Sequence, residues 1–161
     1  MHNYELDSLC YFLRLSYTWW KQTHRRRIFD SQWLTAVSLI IQLMIIEQHH
    51  SELINHNHGS KVAYTGMTWT EWWRHTIRLM ATVVLKQTVD MLEQIHFQQT
   101  ELISQIEQLR EEILDGIHAY GTVQHQQYGT IYVYETDGFT STLLMDDANV
   151  PSLLSPCRLF F

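Results

Sequence analysis

Apolar residues recur at intervals of three and four over the first twenty positions: Leu6, Leu9, Leu13, Tyr17 and Trp20, with Cys10 beside them. This spacing gives a helix one apolar face and predicts a first helix over residues 4–20, with Asp7 and Arg14 on a different side of it. The polar break at 21–27 follows, and its Lys21, Arg25, Arg26 and Arg27 place positive charge where a helix C-terminus favours it. Asp30 is then a suitable N-cap for a second helix over 30–47, which carries Trp33, Leu34, Val37, Ile40, Ile41, Met44 and Ile45 inward. The periodicity is lost across 47–59. Residues 60–78 mix β-branched, aromatic and charged side chains, with a turn marked by Gly66 and helix resuming near Glu71.

Met80, Ala81, Val84, Leu85, Thr88, Leu92 and Ile95 predict a third helix over 77–98. Leu102, Ile106, Leu109, Ile113 and Ile117 predict a fourth over 101–120, with Thr100 as its N-cap and Gly121 as its C-cap. Helices one and two form one antiparallel αα-hairpin, and helices three and four another. Beyond Gly121 the pattern changes. β-Branched and aromatic residues flank Asp137-Gly138, a turn signal that predicts a β-hairpin-like segment over 131–144. Pro151 can open a short helical turn through Ser155. The expected fold class is all-α, built of αα-hairpins, with a small β-hairpin-like segment near the C-terminus.

Composition narrows the function. With 161 residues, 45% of them hydrophobic and 17% charged, the chain can build one core, so residues 1–161 are read as a single domain. Two Pro and six Gly fit long regular elements. Seventeen acids against eleven bases leave a formal charge of -6, which gives no general attraction for phosphates, and no nucleic-acid partner is expected. The most apolar run, 33–46, is interrupted by Gln42 and is too short to cross a bilayer, so no membrane partner is expected either. Acids occupy the N-terminus where a secretory signal would be positive, and Cys10 and Cys157 could form one bridge at most; both favour a cytoplasmic location.

The densest group of chemically useful side chains lies in 134–151. It holds Glu135, Asp137, Asp146 and Asp147, with Tyr134 and Phe139 as flat surfaces and Asn149 as donor and acceptor. Turn capping, recognition of a sugar or another polar metabolite, and metal binding are all open to these groups. His49, His50, His56 and His58 could ligate zinc or nickel, but without a Cys pair or an H-E-x-x-H spacing they read as a solvated loop. The basic run after Trp19 and Trp20 reads as a wet helix end rather than a phosphate site. Trp69, Trp72 and Trp73 suit core packing first and sugar stacking second. There is no G-x-S-x-G elbow, P-loop or G-x-G-x-x-G.

The segments YELDSLCYFLRLSYTWW, YTGMTW and YVYETDGFTSTLLMDDANVPSLLS occur in an order that resembles glycoside hydrolase family 125, the metal-independent exo-acting α-1,6-mannosidases. The likeness covers residues 3–47, 63–70 and 83–155, and the TDGF and LLMDDANVPSLLS segments are its most specific parts. The resemblance implies a partial (α/α)6 barrel, in which antiparallel helix pairs form inner and outer rings. It implies inverting hydrolysis of terminal non-reducing α-1,6-linked mannose with no cofactor and no metal, and a mannose-containing oligosaccharide as ligand. For Glu5 and Asp7 in YELDS, and for Asp146, Asp147 and Asn149 in DDAN, it implies hydroxyl recognition on the sugar-binding side of the barrel. Glu5 and Asp7 are about 200° apart on an ideal helix, so a regular helix cannot turn both toward one ligand.

The chain also departs from the family pattern. After Thr70 the family continues with an aspartate-pair segment that carries the catalytic acid; this sequence runs EWWRHTIRLM, with no Asp between Asp30 and Asp90. The family's base falls beyond the matched residues, and LLSPCRLFF leaves the family pattern after Ser155. The expectation is therefore an incomplete, inactive α-mannosidase domain with no catalytic residues of its own. A non-catalytic remnant or mis-assembled product, and a small helical carbohydrate-binding or interaction protein, are the alternatives. Helix faces left bare by an incomplete ring would favour self-association.

Overall fold

The computed structural model describes residues 6–48, 75–96, 98–136 and 142–144. Four helices and four short strands are formed among them: α1 Leu6–Thr23, α2 Ser31–Gln48, α3 His75–Ile95, α4 Thr100–Tyr120, β1 Thr122–His125, β2 Gly129–Tyr132, β3 Glu135–Thr136 and β4 Thr142–Leu143. The four expected helices are present, with ends shifted by up to three residues. The expected turn at Gly66, the resumption of helix near Glu71 and the turn from Pro151 to Ser155 lie outside the described residues.

Helix α1 buries Cys10, Leu13 and Trp20, with Leu9 and Tyr17 packed at the margin of the core. Asp7 in its first turn and Lys21 in its last both oppose the helix dipole favourably. The helix ends where His24 takes a left-handed conformation, φ 55°, while its N–H still donates to the Trp20 carbonyl at 2.8 Å. The expected cap of α2 is formed: Asp30 Oδ1 accepts from the backbone N–H of Gln32 at 2.9 Å and of Trp33 at 3.1 Å. Trp33, Val37, Ile41 and Met44 then point into the core.

Helix α3 is buried around most of its circumference. Leu79, Met80, Ala81, Val84, Leu85, Val89, Met91 and Leu92 are all covered, and so are Thr82 and Thr88. Both threonines are tolerated because their hydroxyls bond within the helix, Thr82 to the Leu79 carbonyl at 2.8 Å and Thr88 to the Val84 carbonyl at 2.7 Å. Two neighbours account for this burial, since α3 packs against both α1 and α4. Helix α4 contributes the predicted stripe of Leu102, Ile106, Leu109, Ile113 and Ile117, each aliphatic side chain adding about 1.5–3 kcal/mol by leaving water. It also contacts α2, so the two αα-hairpins lie side by side, α1 by α3 and α2 by α4.

The ends of α4 differ in part from expectation. Gln99, not Thr100, is the N-cap, and its side chain makes no capping bond; the helix starts one residue early because the Ile103 N–H already reaches the Gln99 carbonyl at 3.0 Å. Gly121 does cap the C-terminus, donating to the Ile117 carbonyl at 2.7 Å, but with right-handed dihedrals (φ -91°, ψ -2°) rather than the left-handed ones that favour glycine.

The β structure is larger than the sequence pattern predicts. Strands β1 and β2 form a first antiparallel hairpin, Thr122 opposite Tyr132 and His125 opposite Gly129. Gly129 supplies the positive φ of 71° that the reversal requires. In the second hairpin Glu135 pairs with Leu143 and Thr136 with Thr142. A two-residue turn at Asp137-Gly138 would instead pair Thr136 with Phe139, so the connection is longer than that signal implies. Asp137, Gly138 and Phe139 themselves lie outside the described residues. No described helix is long and apolar enough to cross a membrane.

Candidate functional site

Asp7 is the one residue of the expected sugar-binding set within the described part of the chain; Glu5, Asp146, Asp147 and Asn149 lie outside it. Its placement differs from a simple solvent-facing position. The side chain is half-buried, and Oδ1 is fully covered with no hydrogen-bond partner among the described residues. A carboxylate oxygen in that state forfeits about 1–3 kcal/mol or more of lost hydration, which the positive end of α1 offsets only in part. As it stands, this oxygen is sealed from solvent and closed to an incoming donor.

One further covered acceptor escaped the sequence reading. Gln87, on α3, has an Oε1 that is buried without a hydrogen-bond partner among the described residues. Nothing in the local sequence marks it, since Gln87 stands between Lys86 and Thr88 in a polar stretch of the helix. Between α2 and α4 lies a groove of about 350 Å³, with Leu109 and Ile45 at its base, Ile46 at its rim, and the polar ends of Gln42, Gln105, Gln108 and Glu112 around it. Gln108 donates to Glu112 at 2.9 Å. This groove holds amides and one carboxylate, and it shares no residue with the set predicted from the sequence.

Other sequence candidates resolve differently. Tyr134 is only 4% exposed, so it offers no open face for sugar stacking. It is fixed in place because its N–H donates to the Leu143 carbonyl at 2.8 Å and the preceding Val133 N–H donates to the Gly121 carbonyl at 3.0 Å. Arg25, Arg26 and Arg27 are exposed, as a solvated helix end requires, whereas the Lys21 ammonium lies 5.4 Å from the Trp20 ring centroid and 5.6 Å from that of Tyr17. Among the described residues no group of three His, Cys, Asp or Glu side chains could hold a metal. The histidines of 49–58, Trp69, Trp72, Trp73, Phe139 and Cys157 are outside the described residues.

Comparison with known proteins places this architecture. The family model for the metal-independent alpha-mannosidases matches residues 1–79 and 76–161. The Meiotically up-regulated gene 157 protein of Schizosaccharomyces pombe is 33% identical over a 192-residue alignment that takes in 94% of this chain and 36% of that protein. A metal-independent alpha-mannosidase of Streptococcus pneumoniae, solved as a non-productive substrate complex with alpha-1,6-mannobiose, superposes with a TM-score of 0.81 at 26% identity. That superposition takes in 99% of this chain and 44% of the solved one, so the chain spans less than half the length of either relative. The paired hairpins are part of the family's (α/α)6 fold. By these matches over its whole length, the chain belongs to the metal-independent alpha-mannosidases of glycoside hydrolase family 125.

Proposed function

We propose that these 161 residues form the hydroxyl-recognising part of an α-mannosidase domain and do not hydrolyse glycosides by themselves. For a complete barrel, the reaction in view is inverting hydrolysis of a terminal non-reducing α-1,6-linked mannose. That reaction needs a protonated acid at the glycosidic oxygen and a carboxylate that activates water on the opposite face, roughly 6.5–9.5 Å away. The ligand of this chain, on the same reading, is a mannose-containing oligosaccharide held through Glu5, Asp7, Asp146, Asp147 and Asn149.

One observation carries the proposal: the match to the family model is broken into two blocks that meet at 76–79, close to where the resemblance sets the acid-bearing aspartate pair. No Asp occurs between Asp30 and Asp90, and the alignment to the fission-yeast relative is longer, at 192 residues, than the 161 residues of this chain. Both support an internal omission of the acid-bearing segment. The binding half of the reading rests on the resemblance of the YELDS and DDAN segments, and not on the Oδ1 of Asp7, which is covered and therefore closed to a sugar hydroxyl in this arrangement. A binding carboxylate without an opposed partner supplies no route for proton transfer.

The test is an assay of mannose release from an α-1,6-linked disaccharide beside an intact relative, together with an Asp146→Asn/Asp147→Asn variant. The expected result is no release by either form of this chain, with disaccharide binding to the unmodified chain weakened in Asp7→Asn. Turnover that disappears in the double variant would overturn the proposal and make the acidic segment catalytic.

A further inference from the structure

Helix α1 carries a second apolar surface on the side away from the core. Tyr11 is 44% exposed, Phe12 38%, Leu15 68% and Trp19 42%, and all four fall within an arc of roughly 100° on an ideal helix. No charge interrupts this arc; Ser8, Thr18 and Gln22 complete it. The flanking hydroxyls of Ser16 and Thr23 are turned back onto the helix, donating to the Phe12 carbonyl at 3.0 Å and the Trp19 carbonyl at 2.8 Å, so they make no demand on water at the surface. Large aromatic side chains set in an uncharged surface are the composition of an interface centre.

We propose that this face docks a second copy of the chain, α1 against α1, antiparallel across a two-fold axis at Leu15. Two features select that occupant. The first is spacing. Tyr11 and Trp19 stand four positions either side of Leu15, and Ser8 and Gln22 seven positions either side, so an antiparallel pair sets Tyr11 against the partner's Trp19 twice and Leu15 against the partner's Leu15. A two-fold interface requires this kind of self-complementarity. The second is charge. Asp7 occupies the first turn of α1, Lys21 its last, and Arg25, Arg26 and Arg27 follow. Antiparallel pairing brings each acidic end beside the basic end of the other copy and opposes the two helix dipoles, with only Arg14 set near its own counterpart beside the axis, whereas parallel pairing would bring each of these charges against its like.

The experiment is sedimentation of the chain over a range of concentrations, with three variants. The wild-type chain is expected to show a monomer–dimer equilibrium, and Leu15→Glu to weaken it at least about 10-fold by placing two carboxylates on the axis. Far-UV circular dichroism and thermal unfolding of the dilute monomer should be unchanged by Leu15→Glu, because the side chain is 68% exposed. In a Cys157→Ser background, Leu15→Cys should be joined to itself by a short bis-maleimide, while Leu39→Cys, 60% exposed on α2, should not. A chain that stays monomeric at every concentration overturns the proposal. So does association indifferent to Leu15→Glu, or equal cross-linking at positions 15 and 39, each of which would assign the contact to another surface.

Discussion

The indole Nε1–H of Trp33 donates to the Ser16 hydroxyl at 3.0 Å, and that hydroxyl donates in turn to the Phe12 carbonyl at 3.0 Å, so one serine ties α2 to α1. Trp33 is 8% exposed and also stacks on His96 with ring centroids 6.0 Å apart, while the His96 Nε2–H donates to the Phe29 carbonyl at 2.7 Å. The turn between the first two helices is thereby fastened to the end of α3.

Ser16→Ala leaves the Trp33 N–H short of an acceptor in a poorly hydrated place. We expect a loss of about 1–2 kcal/mol in urea unfolding. Trp33→Phe should cost more, since it removes ring volume as well as the donor. Combining the two should show a coupling of about 0.5–1.5 kcal/mol. Strict additivity of the two substitutions would mean that the hydrogen bond contributes nothing.

Asp30 and Thr100 are equivalent caps by residue chemistry, and the structure separates them. Asp30→Ala removes the acceptor for two backbone N–H groups and should cost about 1 kcal/mol, with Asp30→Ser recovering most of it. Thr100 is the first residue inside α4 rather than its cap, so Thr100→Ala should be neutral or slightly stabilising. Equal losses at the two positions in thermal unfolding would contradict the assignment of Gln99 as the cap.

These two residues show where the chain was legible and where it was not. A period near 3.6 survives in sequence because each buried face needs an apolar residue every turn; Leu102, Ile106, Leu109, Ile113 and Ile117 were therefore readable, and all are buried. A boundary rests on one hydrogen bond, and the Ile103-to-Gln99 bond outweighs the better capping chemistry of Thr100. The first hairpin was missed because its reversal is made at Gln126, Gln127 and Tyr128 before Gly129, without an Asn-Gly or Asp-Gly pair; Gly129 was the available signal. At the candidate site, the motifs identified Asp7 but could not show its covered oxygen. That property depends on what packs over the first turn of α1, and no local pattern in sequence records it.

Lys86 and Asp90 form an ion pair along the surface of α3. The hydrogen bond from Lys86 Nζ to Asp90, opposed by slight burial and reinforced by the charges of Asp90 and Glu93, holds the amine above its usual value of 10.5. A raised lysine stabilises the fold fully below the unfolded value, and the contribution is lost as pH rises through the folded one. The Lys86 side chain is 56% exposed and stands on the N-terminal side of its acid, the less favourable order, so screening should leave only about 0.3–0.5 kcal/mol or less. Lys86→Met should therefore differ slightly from the wild type at pH 8 in dilute buffer, and not in concentrated salt or well above pH 10.5. A difference that grows in strong alkali would mean that folding lowers the affinity of this amine for its proton rather than raising it.

Two glycines should respond to alanine in opposite directions. Gly116 lies inside α4, where a methyl group would meet only the Arg78 guanidinium at 3.7 Å, an ordinary contact distance. Glycine in a helix interior retains more freedom in the unfolded chain than alanine does, so Gly116→Ala should raise stability by about 0.5–1 kcal/mol. Gly129 has open space around it, yet its φ of +71° is one that a Cβ disfavours. Gly129→Ala should cost about 1 kcal/mol, and Gly129→Asn less, because asparagine tolerates the left-handed region better than alanine. The pair separates backbone conformation from packing: the position with a neighbour accepts the methyl group and the position without one rejects it. Thermal unfolding of the three variants gives the order Gly116→Ala above wild type, then Gly129→Asn, then Gly129→Ala; a stabilising Gly129→Ala would show that the first hairpin does not hold that turn in solution.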